Sequence, residues 1–248
     1  LAIVLVAALA AAAYGGYRWL QQVNMYASFD GMETVSIDDD RALIITPDDF
    51  EGRAVVVTHG SGADERVTRL DYMEQFTADM LDAGWIVASA NAEGEAWGSV
   101  PSQDDYVALS EYLSTDRGVD EILVVSFSMG AVSGLNITAD ERIPNQVGWV
   151  GINPVTNLSA AHGDARFTDL IEDALSLGEQ AAVDPRRLTS TDFTVPLVVF
   201  SGDADTTVPR DVHGRDFAAR AGADFESCSG AHLSIDCFQA NEILARFG

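Results

Sequence analysis

Ser128 stands in the stretch EILVVSFSMGAVSG, between an apolar β-branched run and a segment of helical character. A serine held on a tight strand-to-helix turn projects above a sheet, with the N–H groups of the helix terminus behind it. The pattern for such a turn is G-x-S-x-G. Here Ser126-Phe127-Ser128-Met129-Gly130 carries Ser in place of the first Gly, a residue still small enough for a helix to approach closely. A serine hydroxyl is a weak nucleophile until a neighbouring base takes its proton and an acid holds that base in the productive tautomer. The chemistry this turn points to is acyl transfer, so the chain must also supply a histidine and a carboxylate.

Four histidines compete for the role of base. His59 closes a strand in HGSG, where backbone geometry accounts for it; His162 lies in a polar stretch and His213 at the start of an amphipathic helix. His232, in SGAHLS just before the last helix, sits late in the chain on a loop able to reach over Ser128. For the acid, Asp203 and Asp205 both follow the strand PLVVF, and either can complete a turn. Asp205 is preferred because the Thr-Thr-Val-Pro after it redirects the chain once its side chain has pointed inward. The resulting order Ser, Asp, His is the order of a triad carried on an open α/β sheet.

The elements that must position these residues alternate along the chain. ETVSIDDD and RALIITP read as a strand pair turning among Asp38, Asp39 and Asp40. RAVVVTHG is a buried strand, followed by a glycine-containing loop and the helical pattern LDYMEQFTADMLDAG. GWIVASAN is the next strand, Ser102 to Leu113 a helix, and Ile122 to Ser126 the strand before the nucleophile. VGWVGINPV and VPLVVF complete the strands, with a helix from Asp211 to Ala221 and a last one around CFQANEILARF. Strand and helix in alternation imply an α/β domain with a mainly parallel sheet covered on both faces, whose ligand chemistry lies past the carboxyl ends of the strands. Residues 156–190 are polar and helical in parts, and read as a small insert or minimal lid.

HGSG at 59–62, SFSMG at 126–130, GDADTTVP at 202–209 and GAH at 230–232, in that order, resemble the α/β-hydrolase superfamily over residues 34–248. Each motif is moderate and their ordered co-occurrence is specific. The resemblance implies the α/β-hydrolase fold, Ser128 as nucleophile, Asp205 as triad acid in a G-x-x-D-x-x-V-P pattern, and His232 as general base and then acid. It further implies an oxyanion hole from the backbone N–H of Met129 and that of Ser61. The chain looks most similar to compact, nearly lidless esterases and peptidase-like members. That makes a serine hydrolase of the carboxylesterase or lipase kind the expected activity, with peptidase, amidase and thioesterase as alternatives that use the same triad. A membrane-tethered binding protein built on an inactive hydrolase-like domain is the non-enzymatic alternative.

Cys228 and Cys237 bracket His232. If they pair, they close a short loop around the expected base and hold its imidazole in place; two buried thiols are the other reading. Trp97, after a strand end, and Phe127, beside the nucleophile, are candidates for the substrate pocket, with core packing as the alternative for each. Glu93 and Glu95, two apart in a loop, supply no glycosidase geometry. No metal site and no cofactor is expected: the two cysteines cannot form a cysteine-rich zinc centre, and no glycine-rich loop with lysine follows the first strand.

With 248 residues, 47% of them hydrophobic, the chain can bury a large core, and its formal charge of −25 makes nucleic acid and anionic lipid headgroups poor surface partners. A small-molecule ester is the expected partner, and the oligomeric state is left open. Residues 1–22 include an uncharged apolar run to Tyr17 and read as a signal peptide or a membrane anchor, with 23–248 as the hydrolase domain. Ala-x-Ala spacing near Ala10 to Ala13 permits cleavage, whereas Trp19 and Leu20 extend the run toward a span. Either outcome places the domain outside the cytoplasm, secreted or anchored.

Overall fold

The structure is a computed structural model and describes residues 26–248. The apolar segment at 1–22 lies outside the described residues; among those described, no helix is long and apolar enough to cross a membrane. Two strands, β1 (Met32–Ile37) and β2 (Asp40–Ile45), form an antiparallel hairpin. Asp38 and Asp39 turn it with φ of 47° and 72°, the left-handed pair that a two-residue hairpin turn of matching twist requires. The remaining strands are β3 (Arg53–Thr58), β4 (Trp85–Ala90), β5 (Glu121–Phe127), β6 (Gln146–Ile152), β7 (Leu197–Gly202) and β8 (Asp224–Cys228). All eight join one sheet in the order β1-β2-β4-β3-β5-β6-β7-β8, parallel from β4 to β8.

Continuous apolar strands form here because both faces of the sheet are covered. Ala54 and Val56 of β3, and Ile122 and Val124 of β5, enter one core with Tyr106, Leu109 and Leu113. The alternate residues Val55, Val57, Leu123 and Val125 enter the other, with Phe76 and Met80. On the first face lie α2 (Val100–Asp116), α3 (Gly130–Ala139) and α7 (Gly214–Ala221); on the second lie α1 (Glu74–Asp82) and α8 (Ala240–Phe247). Each fully buried Val, Leu or Phe contributes roughly 1.5–3 kcal/mol, so a one-residue slip of β3 or β5, which exchanges their two faces, is strongly opposed.

Element boundaries move by a few residues from the sequence reading. The pattern LDYMEQFTADMLDAG divides into a turn and α1, preceded by a 3₁₀ turn over Glu65–Arg69. The helix read from Ser102 extends to Val100–Asp116 because Ser99 caps it, accepting from Ser102 N–H, and Pro101 suits the first turn. The segment ADFESC is the edge strand β8, held to α8 by Arg246, which donates to Asp224 at 2.7 Å and Glu226 at 2.9 Å.

Between β6 and β7 the chain forms α4 (Leu158–His162), α5 (Thr168–Ala174) and α6 (Leu177–Val183). These short helices share a small apolar centre, in which Leu158, Ile171 and Val183 pack on Trp97, Met129 and Val132. The buried Asp184 carboxylate accepts from Leu158 N–H at 3.2 Å and Ser159 N–H at 3.3 Å, tying the insert's end to its beginning. Because Trp97 follows β4 and Met129 follows β5, the insert rests past the carboxyl ends of the strands.

Candidate active site

The turn that carries Ser128 is built by close contact between β3, β5 and α3. Ser128 has φ of 51°, a conformation unusual for a residue with a Cβ, and is 8% exposed. Its N–H donates to Ile152 O at 3.2 Å and its carbonyl accepts from Val155 N–H at 2.9 Å, so the strained turn is gripped from β6. Gly130 must be glycine: a Cβ there would lie 2.1 Å from Thr58 O and 2.5 Å from His59 O. The serine in place of the first glycine is accommodated by partners. Ser126 Oγ lies 2.7 Å from Thr58 Oγ1 and accepts from Trp149 Nε1 at 2.9 Å, while Gly134 leaves the space that a Cβ would take.

Three of the expected residues, 128, 205 and 232, come together. His232 Nδ1 lies 2.7 Å from Asp205 Oδ2, and His232 Nε2 lies 3.0 Å from Ser128 Oγ. Asp205 is buried, and its other oxygen accepts from Thr207 N–H at 2.8 Å and Val208 N–H at 2.9 Å. Burial alone would raise this carboxyl. The hydrogen bond from His232, the Val208 N–H, the His232 charge and the Thr207 N–H together outweigh it and hold Asp205 below the usual carboxylate range. With Asp205 ionised, Nδ1–H donates to it and Nε2 is left to accept from the serine hydroxyl. Asp203 does different work: it is exposed and accepts from Gly230 N–H at 2.9 Å, tying the acid loop to the histidine loop.

The histidine loop is closed by a disulfide between Cys228, at the end of β8, and Cys237, with a Cα–Cα distance of 5.1 Å. Ala204 N–H donates to Gly230 O at 3.0 Å, and Gly202 lets the two loops touch, since a Cβ there would lie 2.5 Å from Gly230 O.

Met129 and Ser61 bring their N–H groups to the ends of β5 and β3, and among the described residues nothing accepts from either. The Ser61 loop approaches Ser128 closely: a Cβ on Gly60 would lie 2.8 Å from the Phe127 ring and 3.2 Å from Ser128 Cβ. Trp97 and Phe127 are placed in the interior, 1% and 2% exposed. Trp97 packs on Phe167 within the insert's apolar centre, and Phe127 on Tyr72 and Phe238, so both are core residues.

Three polar groups near the site have roles that the sequence does not announce. Glu95 accepts from Ser61 Oγ–H at 2.7 Å and from Gly62 N–H. It also lines a recess of about 420 Å³ with Glu93, Ser99, Leu170, Asp173 and Glu179; none of the three triad-type residues lines this recess, which meets the site at Glu95. His213 is buried, accepts from Thr156 N–H at Nδ1 (3.2 Å), and is pushed down to about 4 chiefly by that burial. Asn153, in the left-handed region with φ of 45°, accepts from Gly202 N–H at 2.7 Å and couples the end of β6 to that of β7. A polar residue directly after an apolar strand is the one signal in the sequence for Asn153; Glu95, five positions past the end of β4, has none.

No protein-family model matches the chain, and no curated protein matches it. Solved structures do. An esterase from Pyrococcus furiosus is similar with a TM-score of 0.66 and 18% identity, over 87% of this chain and 92% of that one. Puromycin hydrolase is similar with a TM-score of 0.69 and 17% identity, over 87% of this chain and 38% of that one. A Mycobacterium tuberculosis puromycin-hydrolyzing peptidase is similar with a TM-score of 0.68 and 17% identity, over 88% of this chain and 39% of that one. The chain thus spans under half the length of the last two and nearly all of the first. Its fold is the α/β-hydrolase fold.

Proposed function

We propose that the chain is a serine hydrolase that cleaves carboxylic esters through an acyl-enzyme intermediate. One observation carries the reading: the unbroken chain of contacts from Asp205 through His232 to Ser128, at 2.7 and 3.0 Å, ending on a serine held in a strained turn. In this reading His232 Nε2 takes the Ser128 proton as Oγ attacks the ester carbonyl. The ionised Asp205 stabilises the imidazolium that forms. The N–H groups of Met129 and Ser61 receive the developing oxyanion, where one such donor typically contributes about 3 kcal/mol to the transition state. His232 then protonates the departing alcohol and activates a water that releases the acid.

The similar folds that cleave puromycin support a second reading, an amidase or peptidase on the same three residues. The chemistry is shared up to the leaving group, so a matched pair of substrates, a p-nitrophenyl ester and an aminoacyl p-nitroanilide, separates the two; a thioester analogue extends the comparison. The disulfide supports a location outside the reducing cytosol, secreted or held by the N-terminal segment. The charge of −25 favours a small-molecule substrate over nucleic acid. Ser128→Ala is the direct test. Hydrolysis and fluorophosphonate labelling should both vanish, and either persisting unchanged in the variant rejects the assignment; a native protein that takes no label favours the inactive binding domain.

A further inference from the structure

Asn153 is the residue at which the chain leaves β6, and it is 1% exposed. In a parallel ladder, a residue that donates its N–H to one carbonyl of the neighbouring strand accepts, at its own carbonyl, from the N–H two positions further on. Asn153 N–H donates to Phe200 O at 2.8 Å, so a regular ladder would bring Gly202 N–H to the Asn153 carbonyl. Gly202 N–H goes instead to the side-chain Oδ1 of Asn153, at 2.7 Å. With φ of 45° the backbone at 153 departs from the extended conformation, and the side chain supplies the acceptor that the ladder calls for. Asparagine suits both tasks, since it tolerates the left-handed region and carries a carbonyl on its side chain.

The turn at 153 serves Ser128. Ile152 O, just before it, accepts from Ser128 N–H at 3.2 Å, and Val155 N–H, two residues after it, donates to Ser128 O at 2.9 Å. The bond to Gly202 serves Asp205 and His232. Asp205 N–H donates to Gly202 O at 3.4 Å, and Ala204 N–H and Asp203 both bind Gly230, so Gly202 opens the acid loop and abuts the histidine loop. The backbone pairing of β6 with β7 ends at Ile152 and Phe200. Past that point the Asn153 side chain ties the segment gripping Ser128 to the loop carrying Asp205. Nδ2 of Asn153 is buried without a partner among the described residues, so the position uses the acceptor of the amide and not its donors.

We propose that Asn153 is a positioning residue for the reaction: it turns the backbone so that the chain holds Ser128, and its Oδ1 holds the acid loop in register with that turn. The proposal rests on the serine-hydrolase reading. It assigns the spacing between Ser128 and the Asp205–His232 pair to one side chain that touches none of the three.

Two variants of the full chain separate the tasks. Asn153→Gly keeps the left-handed turn and removes the acceptor, whereas Asn153→Asp keeps both. In the glycine variant kcat for a p-nitrophenyl ester should fall roughly tenfold to a hundredfold, the cost of about 1 Å of misplacement between reacting groups, with KM within about twofold. Fluorophosphonate labelling of Ser128 should slow by the same factor, since it needs the contact between Ser128 and His232. The aspartate variant, measured on the alkaline plateau of its own pH profile so that its added charge does not count against His232, should recover most of the loss. A folded glycine variant with native kcat and labelling rate overturns the proposal, as does an aspartate variant no better than glycine. Should the glycine variant fail to fold, hydrogen exchange on the native chain decides: Gly202 N–H should exchange as slowly as the amides of β7, and exchange as fast as an exposed loop overturns the proposal. A native chain that takes no label removes the serine-hydrolase reading and this proposal with it, whereas a labelled native chain beside an unaffected glycine variant removes this proposal alone.

Discussion

Asp205 lies beneath His232 with one carboxylate oxygen 2.7 Å from Nδ1 and the other taken by two backbone N–H groups, so no part of the carboxylate is free to turn away. Asp203, two positions earlier, accepts from Gly230 N–H alone among the described residues. The same short turn therefore carries an acid that fixes a tautomer and an acid that fixes a loop. Asp205→Asn should leave the fold intact, because the amide oxygen can still accept from Thr207 and Val208. It should lower kcat by about 10⁴, since the ring is then held in the wrong tautomer. Asp203→Asn keeps an acceptor for Gly230 and should change kcat less than about threefold. Steady-state ester hydrolysis by the two variants distinguishes them, and a larger loss for position 203 would reverse the assignment.

The disulfide acts on the same histidine from the other side. Cys228 and Cys237 are nine positions apart and enclose His232, which is otherwise attached to the domain through Gly230 and its own two contacts. Closing so short a loop stabilises the fold by roughly 2–3 kcal/mol in the chain-entropy account. The double variant Cys228→Ser with Cys237→Ser should lose about that much in urea unfolding and lose kcat, with KM little affected. An unchanged urea midpoint would show that the bond contributes no stability.

His213 sets a separate pH dependence. Folded, it is pushed down to about 4, mainly by burial, and Thr156 N–H bonding to Nδ1 requires that nitrogen to be unprotonated. Unfolded, it titrates near 6.5. Between those values the unfolded chain binds more protons than the folded one, so stability is complete above about pH 6.5 and is lost as pH falls toward 4. The expected loss is about 3 kcal/mol. His213→Asn retains an acceptor for Thr156 and does not titrate, so its urea midpoint should vary less than the native midpoint between pH 7.5 and 4.5. Parallel pH dependence in the two proteins would remove His213 as the source.

What was legible in the sequence follows from which constraints are local. Gly130 is forced by Thr58 O and His59 O, and the Ser128 turn by its strand and helix, so spacing alone singles out Ser128 as the proposed nucleophile. Ser, Asp and His follow the order of the strands that carry them, and this made residues 128, 205 and 232 readable as a set. Contacts made only by folding were not readable. Glu95 reaches Ser61 across 34 positions and Thr156 reaches His213 across 57, with no pattern in either segment to announce it. The imidazole of His59 looked incidental beside its backbone, because its two carbonyl partners, Gly60 O and Asn91 O, are fixed by the placement of two loops. Trp97 and Phe127 could be assigned to a pocket or to the core with equal reason, since an aromatic residue beside a strand end fits both.

The excess of carboxylates gives the last prediction. The chain has no lysine, and its 14 basic residues are all arginine against 39 acids. Every described arginine already donates to a carboxylate or to a neutral oxygen, as Arg69 does to Ala27 O and Arg210 to Ser227 Oγ. The remaining carboxylates repel one another with few cations to answer them. Crowding is visible around Asp105, which is pushed up to about 6 by burial first and then by Asp40, Glu93, Asp104 and Asp38. Its Oδ2 is buried without a partner among the described residues. Raising KCl from 0.1 M to 2 M shortens the screening length below 3 Å and should raise Tm, by about 3 °C for each kcal/mol of repulsion relieved. Replacing Asp38 and Asp39 by Asn and Glu93 by Gln should raise Tm at low salt and flatten its salt dependence. Asn suits the left-handed turn at 38 and 39 as well as Asp does, so the hairpin is not itself perturbed. A salt response of the same size in the triple variant would assign the effect to the general salting of apolar surface and not to these carboxylates.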